Sequence, residues 1–422
     1  MREYLLVFLV ALSVTYLLTV VAREIALRTG AVAQVRDRDV HAEPIPYLGG
    51  LAMLGGLVAA YVVAQRLPFL GNQSEFFVFN DAGVVLLAGA LVCAVGVIDD
   101  IFELDALTKL GGQVLAAGLL VALGVRFYYF PGPDGVQFSL DDAQGALLTL
   151  VVVIGTMNAV NFVDGLDGLA AGVVGIGAAA FFFYCYMVSD QNNLTLATTG
   201  ALLSAALAGA CAGFLPHNFH PARLFMGDSG SMLIGLVLSA SALTLTGQFV
   251  GMPATEGNSL FVTVLPVLLP ISLLMVPMVD LVLAVVRRTR AGRSPMSADK
   301  QHLHHRLLEI GHSQRRAVLI MWMWAFTIST GAVIVSLVSD AWVWWAVGSM
   351  LAVTVLLTFV LPKVHRPPKT GLGNTGLPEN AVVEGRVEEP AQPGDDDLTP
   401  AAEQGVVEAS GSTGGGTGET VA

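Results

Sequence analysis

Long apolar stretches recur along this chain, separated by short polar connections. They occupy 4–22, 47–65, 82–98, 110–126, 145–160, 167–188, 196–214, 230–249, 259–286, 317–338 and 341–361. A helix rises 1.5 Å per residue, so about 20 apolar residues cross a hydrocarbon core of about 30 Å. The runs are continuous rather than alternating, which predicts helices and not the strands of a membrane barrel. The fold class expected is an all-α polytopic membrane protein of about 11 transmembrane helices. Segments 110–126 and 145–160 are short and contain glycine, as tilted or re-entrant helices do. The first run begins at Tyr4 with almost no basic residues before it and no clear small-residue cleavage site. It reads as a retained helix and not as a removed leader.

Lys and Arg orient the chain, because cytoplasmic connections carry their excess. With the N-terminus outside, the inner connections and the C-terminus hold 18 of them and the outer side keeps 3, Arg2, Arg66 and Arg126. The outer connections read as ordinary loops, among them 127–144 with its Pro131-Gly132-Pro133-Asp134-Gly135 turn. The inner ones collect Asp, Asn, His and Arg, which a mere connector does not need. Polar residues at this depth point to a catalytic face on the cytoplasmic side.

Composition removes several classes. Of 422 residues, 54% are hydrophobic and 13% charged, and the mean hydropathy is +0.69. Soluble domains are about one-quarter charged, so a soluble globular enzyme is excluded. The net charge of −12 belongs mainly to the tail, where residues 370–422 contain ten acids and one base, Arg386. The chain therefore divides into a multi-span part, 1–366, and an acidic cytoplasmic tail, 367–422, with too little apolar surface to fold. No basic tract calls for nucleic acid. Cys93, Cys185 and Cys211 fall in apolar stretches without a CxxC pair, which speaks against a disulfide framework or thiolate metal site.

Five inner segments carry candidate chemistry. Asp99-Asp100 closes the third run and is followed by Lys109; adjacent carboxylates beside a membrane need solvent or a cation, and oxygen ligands suit Mg²⁺. Asn158, Asn161, Asp164 and Asp167 lie within ten residues, with the two Asn on one helix face and each Asp before a glycine. Phe225-Met-Gly227-Asp228-Ser229-Gly230-Ser231 opens a helix, where free N–H groups meet phosphate and Asp228 can bind metal. Gly-Asp-Ser-Gly also surrounds the nucleophile of chymotrypsin-like proteases, but an all-β domain is missing, and a helix cap at Ser229 or Asp228 is compatible with function. The fourth segment, 287–316, holds Arg287, Arg288, Arg290 and Arg293, then His302, His304, His305 and Arg306. Arg and His in this setting suit a diphosphate; zinc is disfavoured because His302 and His305 share a face that His304 does not, and no Cys is near. His217, His220 and His312 read as solvated loop residues. The fifth runs through Arg36, Arg38 and His41 to Pro44, Pro46, Gly49 and Gly50, where the prolines set an extended approach and the glycines allow close contact.

Together these segments resemble the polyprenyl-phosphate N-acetylhexosamine-1-phosphate transferase superfamily, with its WecA-like GlcNAc-1-phosphate transferases and MraY-like phospho-MurNAc-pentapeptide translocases. The resemblance runs from about Arg36 to Arg316 and comprises DDxxxLxxxxK from Asp99, NxxNxxDGLDGLAAG from Asn158 and FMGDxGS from Phe225. His302-Leu-His304-His305 is similar to the HxHH of the WecA-like branch, whereas the MraY-like branch has a Pro-rich run before three consecutive His. The chain departs from the superfamily before His41, where Ala33-Gln34-Val35 and Asp39 replace the usual residues.

The resemblance implies Mg²⁺-dependent transfer of GlcNAc-1-phosphate from UDP-GlcNAc to undecaprenyl or decaprenyl phosphate, with Mn²⁺ as a possible substitute. It implies a bacterial plasma membrane protein embedded in the lipid bilayer, with a homodimer as one arrangement allowed. Asp99, Asp100, Asp164 and Asp167 become catalytic candidates, and Asp228 with Asn161 the metal ligands. Lys109, Asn158, Asn218, His302, His304, His305, Arg306, Arg36, Arg38 and His41 become substrate- and phosphate-binding candidates. Asp164 and Asp167 face the nucleoside or shape the metal site. Asp99 or Asp100 is a general base, a nucleophile or an electrostatic group. The base gains little, since a phosphate monoester with a second pKa near 6 is already mostly dianionic at neutral pH. Two alternatives stand beside this reading: the same chemistry on another UDP-N-acetylhexosamine, including UDP-MurNAc-pentapeptide, and a cation-coupled transporter.

Overall fold

Ten helices form among the described residues, each on one of the apolar runs. The structure is a computed structural model that describes residues 1–32, 45–71, 77–131, 137–192, 197–246, 313–338 and 340–364. The helices are α1 (Arg2–Thr29), α2 (Gly49–Ala64), α3 (Phe77–Phe102), α4 (Ala106–Ala122), α5 (Asp142–Val163), α6 (Leu169–Asn192), α7 (Ala197–Asn218), α8 (Gly227–Thr246), α9 (Gln314–Leu337) and α10 (Trp342–Val364). Seven of them are long and apolar enough to cross a membrane; α2, α4 and the Trp342–Thr358 part of α10 are shorter apolar helices. The chain is a polytopic helical membrane protein. The expected span 259–286 lies outside the described residues, and so does the whole unit Pro367–Ala422.

Several helices outrun their apolar stretch. α1 continues to Thr29 through Arg23, Glu24 and Arg28, where Arg28 Nε donates to Glu24 Oε1 at 2.9 Å across one turn. It stops at Gly30, which adopts the left-handed conformation. α3 carries Asp99 and Asp100 in its last turn. α5 starts at a capping box, in which Asp141 accepts from Gln144 N and Gln144 returns the bond to Asp141 N. The segment after α4, expected as a plain loop, forms a small antiparallel hairpin of β1 (Tyr129–Pro131) and β2 (Gln137–Ser139), pairing Phe130 with Phe138. Backbone pairing satisfies its amides, and the aromatic side chains favour extended backbone.

α8 is the hub of the bundle. It packs against α2, α3, α5, α6 and α7, and its apolar window is 94% buried. α1 closes on α2 and α7, and α9 closes on α6. The core holds Phe181, Tyr184, Phe214, Met157 and Leu207, fully enclosed, and all three cysteines are buried and free. Small residues let backbones approach α8. A Cβ on Gly50 of α2 would overlap the Ser229–Gly230 backbone, and one on Gly96 of α3 would overlap Asp228 and Ser229. The glycine pair that opens α2 thus serves helix contact, one of the two uses its sequence suggested.

Gly96→Val is expected to push α3 from α8 and lower the apparent melting temperature by an overpacking cost of about 1–3 kcal/mol. Gly118→Ala, on α4 with open space around it, is expected to leave the melting temperature unchanged or raise it. Thermal unfolding of the purified protein in detergent checks both.

Candidate active site

Three helix ends meet at one end of the bundle: the last turn of α3, the end of α5 and the first turn of α8. Carboxylates at the C-terminus of a helix oppose its dipole, so Asp99 and Asp100 must be stabilised from elsewhere. Asp100 gains this from α8. Its Oδ1 accepts from Asp228 N at 2.7 Å and its Oδ2 from Ser229 N at 3.3 Å. These are orphan amides of a helix start, where negative charge is favoured. Gly227 makes the approach feasible, since its φ is +70° and a Cβ there would overlap the Asp100 carboxylate. Ser229 is not the helix cap its sequence suggested: α8 already begins at Gly227, and Ser229 Oγ donates to Met226 O at 3.4 Å.

Asp99 turns the other way. Its Oδ1 accepts from Leu104 N at 2.7 Å, which fixes the α3–α4 turn, and its Oδ2 pairs with Lys109 Nζ at 3.0 Å. Lys109 also pairs with Asp228 Oδ2, and Asn161 Nδ2 donates to Asp228 Oδ1 and to Ser231 Oγ, the latter at 3.1 Å. Asp228 is thus the meeting point of α4, α5 and α8. One turn deeper, Asn158 and Gln113 exchange amide hydrogen bonds at 2.7 and 3.3 Å, tying α5 to α4.

The Asp164–Asp167 turn forms the adjoining wall. Asp164 ends α5 and keeps part of its surface open within a crowd of protein atoms. Burial pushes its carboxyl up to about 7, helped by the charges of Asp228, Asp100 and Asp167. Asp167 is buried; its Oδ2 accepts from His220 Nδ1 at 2.8 Å and from Ala222 N at 3.1 Å. Asn218 accepts from Gly168 N at 3.0 Å and donates to Leu224 O at 3.1 Å, so its amide braces the wall. Across the mouth, the 45–50 segment pairs with the loop before α8: Phe225 N donates to Pro46 O, Gly49 N to Phe225 O and Gly50 N to Met226 O.

The structure therefore brings Asp99, Asp100, Lys109, Asn161 and Asp228 into one connected cluster. It sets Asp164 within range of their charge, and places Asp167, Asn158 and Asn218 in the supporting walls. Arg36, Arg38, His41, His302, His304, His305 and Arg306 lie outside the described residues. Gln113 and His220 escaped the sequence reading. Gln113 sits one turn after Lys109, on its face, which was a usable signal. His220 meets Asp167 only through tertiary folding.

The donor set fits a hard divalent cation. Asp228 offers carboxylate oxygens, and Asn161 beside it offers a carbonyl oxygen once its amide is turned. Asp99 and Asp228 share the amine of Lys109, and Asp100 and Asp164 stand beside them as further oxygen donors. Among the described residues no three His, Cys, Asp or Glu side chains form a closed metal cage. Mg²⁺ suits such an open set, because it takes one or two carboxylates and completes its shell with water and substrate phosphate.

Residues 82–246 match the glycosyl transferase family 4 pattern. The chain is 45% identical to the decaprenyl-phosphate N-acetylglucosaminephosphotransferase of Mycolicibacterium smegmatis over 372 residues, covering 87% of this chain and 90% of that protein. It is 49% identical to the protein of the same name from Mycobacterium tuberculosis, covering 79% of this chain and 82% of the relative. A phospho-N-acetylmuramoyl-pentapeptide-transferase from Mycobacterium bovis is 30% identical, covering 76% of this chain and 94% of the relative.

Two outcomes are expected. Asp100→Ala strands two buried donors and lowers the melting temperature by about 1–3 kcal/mol of stability, whereas Asp100→Asn, which keeps an acceptor, loses less. For Asp164, the folded protein holds a proton in the range where the unfolded chain has released it. Its contribution is complete below the unfolded value and is lost as pH rises through about 7. With chelator present, the melting temperature falls between about pH 4 and about pH 7 and levels off above that range, and Asp164→Asn removes part of that fall. Melting curves across pH check both.

Proposed function

Because the chain belongs to glycosyl transferase family 4, we propose that it transfers GlcNAc-1-phosphate from UDP-GlcNAc to a membrane polyprenyl phosphate. The products are polyprenyl-diphospho-GlcNAc and UMP, as in the first membrane step of a cell-envelope glycan. The observation that carries this reading is the convergence on Asp228 of Lys109 from α4 and Asn161 from α5, with Asp100 of α3 on its backbone amide. The names of the mycobacterial relatives support a decaprenyl or undecaprenyl acceptor. Phe102, Leu107 and Phe162 are 72%, 78% and 61% exposed beside the polar cluster, which suits an isoprenoid approaching from the bilayer. The excess of Lys and Arg on inner connections supports about 11 spans, an outside N-terminus and an active face toward the cytoplasm of a bacterial plasma membrane.

In this reaction a non-bridging oxygen of polyprenyl phosphate forms a bond to the β-phosphorus of UDP-GlcNAc. The bond from that phosphorus to the bridging oxygen breaks, and UMP leaves with the electron pair. Such transfer is governed by positioning and charge neutralisation. Asp228 and Asn161 would hold Mg²⁺, which supplies neutralisation of the diphosphate when bound. Lys109, which stands between Asp99 and Asp228, would offer its amine to phosphate oxygens. Asp100 holds the start of α8 so that Asp228 points inward, and Asp99 sets Lys109. With both carboxylates so engaged and the acceptor already dianionic, the Asp99-Asp100 pair acts by electrostatics and positioning. Asp164, part of whose surface is open, offers acceptors to the hydroxyl and imide donors of the nucleotide sugar, and the buried Asp167 shapes the wall behind it.

Purified full-length protein, given labelled UDP-GlcNAc and polyprenyl phosphate, is expected to release UMP only when Mg²⁺ or Mn²⁺ and the lipid are both present. A panel with UDP-MurNAc-pentapeptide and other UDP-N-acetylhexosamines decides the sugar; turnover of another sugar in preference to UDP-GlcNAc overturns the assignment. Asp228→Ala is expected to abolish turnover while the protein still inserts, and near-normal activity removes the metal assignment.

A further inference from the structure

Behind the Asp164–Asp167 turn lies a second layer of contacts that the transfer reaction does not itself require. A carboxylate can only accept, so His220 must carry its proton on Nδ1 where it meets Asp167 Oδ2. The Asp167 side chain is fully buried and that of His220 is 34% exposed, so the bond is shielded. The same turns are gripped from α9. Trp322 Nε1 donates to Gly168 O at 3.2 Å, its ring packs on Phe219 with centroids 5.6 Å apart, and its face fills the space a Cβ on Gly172 would need. Gly168 is in the left-handed conformation at φ +78°, and its amide is held by Asn218. At the start of α9, Arg315 Nε donates to His220 O at 3.1 Å.

We propose that His220 is a positioning residue for the nucleotide sugar, and that Trp322 and Arg315 of α9 lock His220 and the Asp164–Asp167 turn into one clamp. The inference rests on the reaction proposed above and names residues that act through Asp167. Charge decides which substrate feels the clamp. A wall carrying Asp164 and Asp167 repels the phosphate of the acceptor lipid. It receives hydroxyl and N–H donors, which the ribose, uracil and acetamido groups supply and the polyprenyl phosphate lacks. Loss of the imidazole donor therefore loosens Asp167 and with it the turn that presents the part-open Asp164 to the nucleotide sugar, and leaves the lipid site as it was.

The test compares full-length wild type with His220→Phe, His220→Asn and Trp322→Phe. His220→Phe keeps a ring and removes the donor, His220→Asn restores an N–H near the Nδ1 position, and Trp322→Phe keeps ring packing without the bond to Gly168. KM for UDP-GlcNAc is expected to rise about tenfold in His220→Phe, with KM for polyprenyl phosphate within about twofold of wild type. Recovery is expected in His220→Asn, and a smaller selective rise in Trp322→Phe. An equal rise in both KM values, a fall in kcat alone, or no recovery with Asn overturns the proposal. Hydrogen exchange of the peptide spanning 164–168 gives a second readout: exchange faster than wild type in His220→Phe and Trp322→Phe supports the clamp, and unchanged exchange overturns it. Should the wild-type protein fail to turn over UDP-GlcNAc, the reaction assignment falls and hydrogen exchange still decides the clamp.

Discussion

The site depends on a carboxylate from one helix occupying the amide end of another. Asp100 stands where the α3 dipole disfavours it and where the α8 dipole favours it. Its two oxygens on the amides of Asp228 and Ser229 fix the direction in which α8 begins. The side chains of the first turn of α8, Asp228 among them, inherit that direction. The bond also explains the local sequence, because Gly227 leaves room for the carboxylate while Gly50 and Gly96 let α2 and α3 close around the same turn. A side chain one carbon larger at any of these places would compete with the bond itself.

Around this joint the protein has gathered more negative charge than it neutralises. Lys109 is shared between Asp99 and Asp228, while burial and neighbouring carboxylates push the Asp164 carboxyl up to about 7. Uncompensated charge at the edge of a bilayer is expensive to keep. Its retention is intelligible where a cation and a diphosphate arrive together, since each then removes the penalty of the other. The packing of α8 by five neighbours keeps the cluster from relaxing outward when that charge is bare.

Much of the fold was legible because apolar length reports membrane helices directly, and ten of the expected segments coincide with helices among the described residues. The ends were less legible. Hydropathy fades at residue 22, yet α1 runs on to Thr29 because a helical ladder needs hydrogen bonds and not apolar side chains. Motif order pointed to residues that the fold gathers at one end of the bundle, including Asn161 and Asp228, which are in contact. What spacing could not tell was whether a carboxylate faces solvent or a neighbour's amides, so the sequence left Asp100 open between a base, a nucleophile and an electrostatic group, and its bonds to the amides of Asp228 and Ser229 become visible only in the fold. His220 looked like a solvated loop residue, since its partner Asp167 is 53 positions away in sequence.

The three cysteines, all enclosed in the helix core and unbridged, have a practical corollary. Thiolate formation and reagent access are both suppressed in such surroundings. The folded native protein thus offers a silent background to membrane-impermeant maleimides. Single thiols introduced into the polar connections would report which side of the bilayer each one occupies, without first stripping the natural sulfhydryls from the packing they complete.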